Sequence, residues 1–191
     1  MSYGYRLNVE QLMLKNANEK WQKALAQFVS VRDSVPETGA DFYINAPGMH
    51  DDNTISLCIE AVLGWAISAE GFVNLAWQTC PHTKQIDERD YKTTIGKIKY
   101  LCKMNGINYG SLSWRASLSQ LFELRNNLVH FKVPITYVGF SFAPKYQQDF
   151  SDTNMSKYQK SVISLINELG AKLNIDVSFT SGNYDLFYYD E

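Results

Sequence analysis

Apolar residues recur at helical spacing along most of the chain, in five separate segments. In the first segment, Leu14, Trp21, Leu25 and Phe28 follow one another at intervals of seven, four and three residues. Such intervals place side chains on one face of a helix. Applied to the whole chain, the pattern predicts helices over residues 7–35, 54–79, 87–104, 111–131 and 155–173. We therefore predict an all-α fold, a bundle of four to five helices.

The second predicted helix is apolar on nearly all of its sides. Such a helix belongs in the centre of a bundle or at a dimer interface. Residues 57–77 are also numerous enough to cross a membrane, but Glu60, Glu70 and Asn74 interrupt the run. Two carboxylates in one span are costly in lipid. We therefore interpret this segment as a buried core helix.

No repeat or linker divides the chain, and we predict a single domain over residues 1–191. Its core covers about 54–173, preceded by the N-terminal helix at about 7–35 and followed by an aromatic-rich tail at 176–191. The tail alternates polar and apolar residues and is compatible with a short hairpin around residues 181–183. The N-terminus has no basic and apolar leader, and the three scattered cysteines fit a reducing compartment. We therefore expect a cytoplasmic protein.

The fourth predicted helix carries an unusual arginine. At ~100° of rotation per residue, Arg125 projects from the middle of an apolar arc, and Asn126 and His130 stack on the polar edge of that arc. The apolar members of the arc are Leu118, Leu121, Phe122, Leu128 and Val129. A guanidinium that faces a core is costly unless it is paired or has a function.

A carboxylate in a similar setting offers a partner for this arginine. Glu70 lies in the otherwise apolar stretch from Ala66 to Val73 of the second helix. A buried carboxylate requires a cation nearby. We therefore predict that Glu70 and Arg125 form an ion pair across the bundle, either as part of a site or only as a lock on helix register.

The pattern Arg125-Asn126-x-x-x-His130 near the end of a helix resembles the signature of the HEPN superfamily. The order of helices, with the signature on the helix before the last, resembles the HEPN bundle over about 54–173. The resemblance implies a metal-independent endoribonuclease of a toxin–antitoxin, phage-defence or stress system, with RNA as substrate. It also implies a homodimer in which two motif helices form a composite active site, and an antitoxin as a further partner.

The resemblance assigns catalytic roles to four residues. His130 would be the acid and base, Arg125 would stabilise the phosphate, Asn126 would orient His130 or bind the phosphate, and Glu70 would lie beside the arginine. The alternative is a HEPN-like dimer without catalysis that binds a nucleotide, an RNA or a partner protein. Lys132 stands where some HEPN toxins carry a tyrosine that an antitoxin modifies, which argues against that form of regulation.

The remaining candidates are weaker. His50 and His82 have no cysteine or histidine partner at metal-ligand spacing, so we predict no metal site and no cofactor. A cluster of lysines on the third helix could bind phosphate, but we favour the interpretation as a solvated face: Lys92, Lys97, Lys99 and Lys103. The net charge of −2 and the pI of about 5.9 count against nonspecific binding of long nucleic acids, which usually requires a basic protein, so contact with RNA must be local.

Overall fold

The computed structural model describes residues 4–34, 52–130, 149–185 and 187–190. Most of these residues are helical. Five α-helices lie within these residues: α1 (Val9–Ser34), α2 (Asp52–Thr79), α3 (Thr94–Met104), α4 (Arg115–Val129) and α5 (Asp152–Leu173). They form an all-α bundle, as the spacing of apolar residues predicted.

Helix α2 is the centre of the bundle, because α1, α3, α4 and α5 all pack against it. Cys58, Ala61, Trp65 and Phe72 have no exposed surface. By length and composition alone α2 would suffice to cross a membrane, but 56% of its most apolar window is buried within the protein. The apolar surface of α2 is thus largely covered within one chain, and it does not by itself require a second chain.

Helices α1 and α2 approach closely because small residues meet at their crossing. A Cβ atom added to Gly64 would lie 2.8 Å from the Cβ of Ala17. Nearby, the rings of Trp21 and Trp65 make an edge contact with centroids 6.4 Å apart. Asn18 satisfies the buried polar atoms of this region, since its Oδ1 accepts from Trp65 Nε1 at 2.9 Å and from Gln159 Nε2 at 2.8 Å. One amide therefore links α1, α2 and α5.

The predicted third and fourth helices both begin later than the apolar spacing indicated. Residues Glu88–Asp90 form a 3₁₀ turn, and α3 begins only after Thr93, whose hydroxyl accepts from the backbone N–H of Gly96. A second 3₁₀ turn, Tyr109–Ser111, precedes α4. Thr93 thus caps the beginning of α3, whereas α4 begins after Trp114 without a side-chain capping hydrogen bond.

The two ends of the chain pair with each other. Strand β1 (Gly4–Leu7) runs antiparallel to β2 (Phe187–Asp190), with Gly4 opposite Asp190 and Leu7 opposite Phe187. The hairpin expected around residues 181–183 is wrong. Ser178–Ser181 is a 3₁₀ turn, and the strand that follows pairs with the N-terminus.

Candidate functional site

The candidate site lies at the C-terminal end of α4. The helix ends at Val129, and His130 caps it by donating its backbone N–H to the carbonyl of Asn126 at 3.0 Å. Asn126 and His130 are exposed, and Arg125 is half-buried. The three signature residues therefore all reach solvent within the last turn and a half of one helix.

The predicted ion pair between Arg125 and Glu70 is confirmed. Arg125 Nη2 lies 3.8 Å from Glu70 Oε2, with 31% of the arginine side chain and 44% of the glutamate side chain exposed. The expectation that this pair is buried is wrong. Both side chains lie at the edge of the contact between α2 and α4, where water reaches them, and the apolar stretch around Glu70 does not enclose its carboxylate.

Asn126 acts on the arginine and not on the imidazole. Its Oδ1 accepts a hydrogen bond from Arg125 Nη1 at 3.0 Å. The guanidinium is thus held by one hydrogen bond through Nη1 and by the ion pair with Glu70 at Nη2. In the described part of the chain no hydrogen bond joins the side chains of Asn126 and His130, so Asn126 affects His130 only through the backbone cap.

The buried face of α4 is rotated relative to the predicted arc. Leu118, Leu121 and Phe122 are buried as expected, and so is Leu124, which the arc left out. Val129, which the arc included, is 46% exposed. The reason is that α4 packs against α5 as well as α2, so the helix buries the side that faces α5 and leaves its last turn uncovered. An exposed valine thus lies directly beside His130.

His82 and the lysines at 92, 97, 99 and 103 have structural or solvent-exposed positions. His82 is exposed in a short 3₁₀ turn. Lys97 donates to Asn74 Oδ1 at 2.8 Å and lies 6.0 Å from the centroid of the Trp77 ring, which ties α3 to α2. Lys92, Lys99 and Lys103 are exposed. His50 and Lys132 lie outside the described residues.

A cleft on the side of α4 opposite Arg125 was not predicted. It has a volume of about 270 Å³ and lies between α4 and the beginning of α5. Gln120, Glu123 and Asn127 line it from α4. The sequence did contain a signal, because these three polar residues recur at intervals of three and four and so share one helix face. Among the described residues, no group of three or more histidine, cysteine, aspartate or glutamate side chains has a geometry that would hold a metal ion.

No protein-family model matches the chain, and neither a curated protein nor a solved structure matches it. The geometry of α4 and its neighbours therefore carries the functional argument alone.

Proposed function

We propose that the chain is a metal-independent endoribonuclease of the HEPN type, which acts as a homodimer in the cytoplasm within a toxin–antitoxin, phage-defence or stress system. One observation carries the proposal: Arg125, Asn126 and His130 reach solvent together at one end of α4. An arginine needed only for packing would be enclosed with its partner. This arginine is instead held by a hydrogen bond to Asn126 and an ion pair with Glu70, with part of its surface open to a ligand.

The cleavage reaction uses the RNA itself as nucleophile. A base removes the proton from the ribose 2′-OH, and the 2′ oxygen forms a bond to the adjacent phosphorus. The bond from phosphorus to the 5′ oxygen breaks, and an acid protonates that oxygen. The products are a 2′,3′-cyclic phosphate and a 5′-OH end, and no metal or oxidant is consumed.

The residues of the site match the needs of this reaction. His130 exchanges the proton, since an imidazole side chain can act both as a general base and as a general acid. The guanidinium of Arg125 binds the phosphoryl oxygens, where negative charge increases in the transition state. Asn126 and Glu70 contact the guanidinium on two sides and fix its direction, so both are positioning residues.

The proposed mechanism needs a second chain because one chain supplies one His130, whereas the reaction needs both a base and an acid. In a homodimer with two α4 helices side by side, one histidine serves in each role. The exposed side chain of Val129 next to His130 favours this contact, since it is 46% exposed and burial of that part corresponds to about half of the ~1.5–3 kcal/mol gained by fully burying a valine. Light scattering should give the mass of a dimer at micromolar concentration, and a monomer mass would exclude a composite site.

The test of activity compares wild-type protein with His130→Ala on total RNA in the presence of EDTA. His82→Ala is the matched control, because His82 is exposed but lies in a turn that follows α2. Wild type and His82→Ala should cleave equally and leave cyclic-phosphate ends. His130→Ala should be slower by the ~10²–10⁴-fold typical of a lost general acid or base. Equal cleavage by all three proteins, or cleavage that EDTA abolishes, would refute the proposal.

A second function is favoured by the ion pair and the overall charge. Glu70 partly neutralises Arg125, and the chain has a net charge of −2, so a non-catalytic dimer that binds a nucleotide, RNA or protein is the alternative. It predicts binding without cleavage, and binding that His130→Ala leaves intact.

A further inference from the structure

The cleft between α4 and α5 differs in chemistry from the end of α4. From α4 it receives Glu123 and Asn127, and from the region of α5 it receives Asp149, Lys157 and Tyr158. Two carboxylates and one ammonium group give the lining a formal charge of −1. Such a lining favours a ligand that donates hydrogen bonds through neutral N–H groups. The lysine disfavours a bare divalent cation.

Two groups in the cleft have polar atoms available for a ligand. Within the described residues, the Glu123 carboxylate has no hydrogen bond or ion pair, and the Tyr158 hydroxyl has no hydrogen-bond partner. Tyr158 is 3% exposed, so its hydroxyl is a polar group in a nearly closed setting. Burial, together with the nearby charges of Asp149 and Glu123, raises the pKa of this phenol to about 12. It therefore remains a hydrogen-bond donor over the physiological range.

The cleft and His130 lie on neighbouring parts of the same helix. Asn127 precedes His130 by three residues and Glu123 precedes it by seven. At 1.5 Å of rise and 100° per residue, these side chains are ~4.5 Å and ~10 Å from His130 along the axis and within ~60° of it in direction. A base held in the cleft would therefore have its own sugar and phosphate close to His130.

We infer that this cleft is the base-binding subsite of the ribonuclease and that it takes an unpaired guanine. The inference rests on the proposed function. Guanine is the RNA base with two adjacent donors, N1–H and the N2 amino group, on its pairing edge, and a carboxylate accepts such a pair through its two oxygens. Glu123 binds this edge, and the Tyr158 hydroxyl donates to the O6 atom of the base. Lys157 pairs with a backbone phosphate.

The test measures binding separately from cleavage. The protein is the full chain with His130→Ala, and the ligands are labelled uridine hexamers that contain one guanosine, one inosine or one adenosine. Fluorescence anisotropy should show tighter binding of the guanosine hexamer than of the inosine hexamer, which lacks the N2 amino group. Loss of one hydrogen bond to a charged group corresponds to a weakening of roughly ten-fold or more.

Substitutions assign that preference to the cleft. Glu123→Gln should lower the affinity for the guanosine hexamer to that for the adenosine hexamer. Tyr158→Phe should also weaken binding of the guanosine hexamer, while the circular dichroism spectrum stays unchanged. Glu19→Gln, the same change at an exposed position of α1, should have no effect. Equal affinity for the three hexamers, or a preference that survives Glu123→Gln, would overturn the inference.

The two proposals fail separately. RNA cleavage that depends on His130 but shows no preference at guanosine would refute the base subsite and leave the ribonuclease intact. Guanosine-selective binding that depends on Glu123, in a protein that cleaves no RNA, would refute the ribonuclease and leave the cleft as a nucleobase site.

Discussion

The change Glu70→Gln tests how the bundle holds its signature arginine. The variant keeps the shape of the side chain and removes its charge from Arg125 Nη2, 3.8 Å away. Two unit charges ~4 Å apart attract by ~1 kcal/mol in water and by ~4 kcal/mol at the effective dielectric near a protein surface. Because 31% and 44% of the two side chains are exposed, the lower value applies. Loss of a buried partner would instead cost ~3–5 kcal/mol.

We therefore expect Glu70→Gln to lower the free energy of unfolding by less than ~1 kcal/mol, which is the range measured for exposed ion pairs. Urea denaturation followed by circular dichroism measures this difference. Glu60→Gln is the matched control, because Glu60 pairs with Lys20 and these side chains are 46% and 38% exposed. The two variants should differ little, and both effects should shrink in ~1 M salt, where charges are screened over ~3 Å.

A loss of ~3 kcal/mol or more in Glu70→Gln, insensitive to salt, would refute this reasoning and show that the pair is sealed from water. A double-mutant cycle with Arg125→Gln would then give the coupling energy directly. If stability changes as little as we expect, any fall in ribonuclease activity of Glu70→Gln reports on the position of the guanidinium and not on folding.

Three further predictions concern packing, thiols and pH. Gly64→Val should lower the thermal midpoint of unfolding, because a Cβ atom at Gly64 would already lie 2.8 Å from the Ala17 Cβ and overpacking costs ~1–3 kcal/mol. The second substitution Ala17→Gly should restore part of the lost stability. The three cysteines are all buried, and burial raises the pKa of Cys58 to about 12. The thiols should therefore react with Ellman's reagent only in denaturant, and rapid reaction of the native protein would contradict this prediction. The pKa of Tyr158 is raised from 10.0 to about 12, so the contribution of its phenol to stability is complete below pH 10 and is lost as the pH rises to about 12. Between these pH values the free energy of unfolding should therefore fall less in Tyr158→Phe than in the wild type, as alkaline denaturation would measure. An equal fall in the two proteins would contradict this prediction.

The position of α2 was predicted well because many apolar residues within the helix itself each indicate it. An apolar run of this length fits few structures other than a core helix, and the predicted range 54–79 differs from Asp52–Thr79 only at the first turn. The beginning of α3 was missed because one hydrogen bond decides it: the hydroxyl of Thr93 accepts from the backbone N–H of Gly96, and the apolar spacing carries no trace of such a bond. Before α4, the side chain of Asn108 caps the 3₁₀ turn Tyr109–Ser111, and α4 itself begins after Trp114 without a side-chain cap.

At the site, the sequence predicted which residues meet but not how much water reaches them. Arg125 and Glu70 were paired correctly because each lay in an apolar setting on its own helix. Their exposure depends on the angle and end point of α4 against α2 and α5, which helical periodicity does not contain. Because periodicity does not contain the packing of α4 against α5, Val129 was wrongly expected in the core. For the same reason the cleft beside Glu123 was not anticipated.

The pairing of β1 with β2 makes the chain nearly circular. Gly4 lies opposite Asp190 in an antiparallel ladder, so a short linker between the ends would close the backbone with little change in the fold. Closing a loop costs entropy only in proportion to the logarithm of its length. A circular permutant opened at an exposed turn such as Gly106 should therefore fold, and it would carry α4 near its N-terminus. Two copies of such a protein could be joined in one polypeptide. Each polypeptide would then carry both of the histidines that the proposed composite site needs.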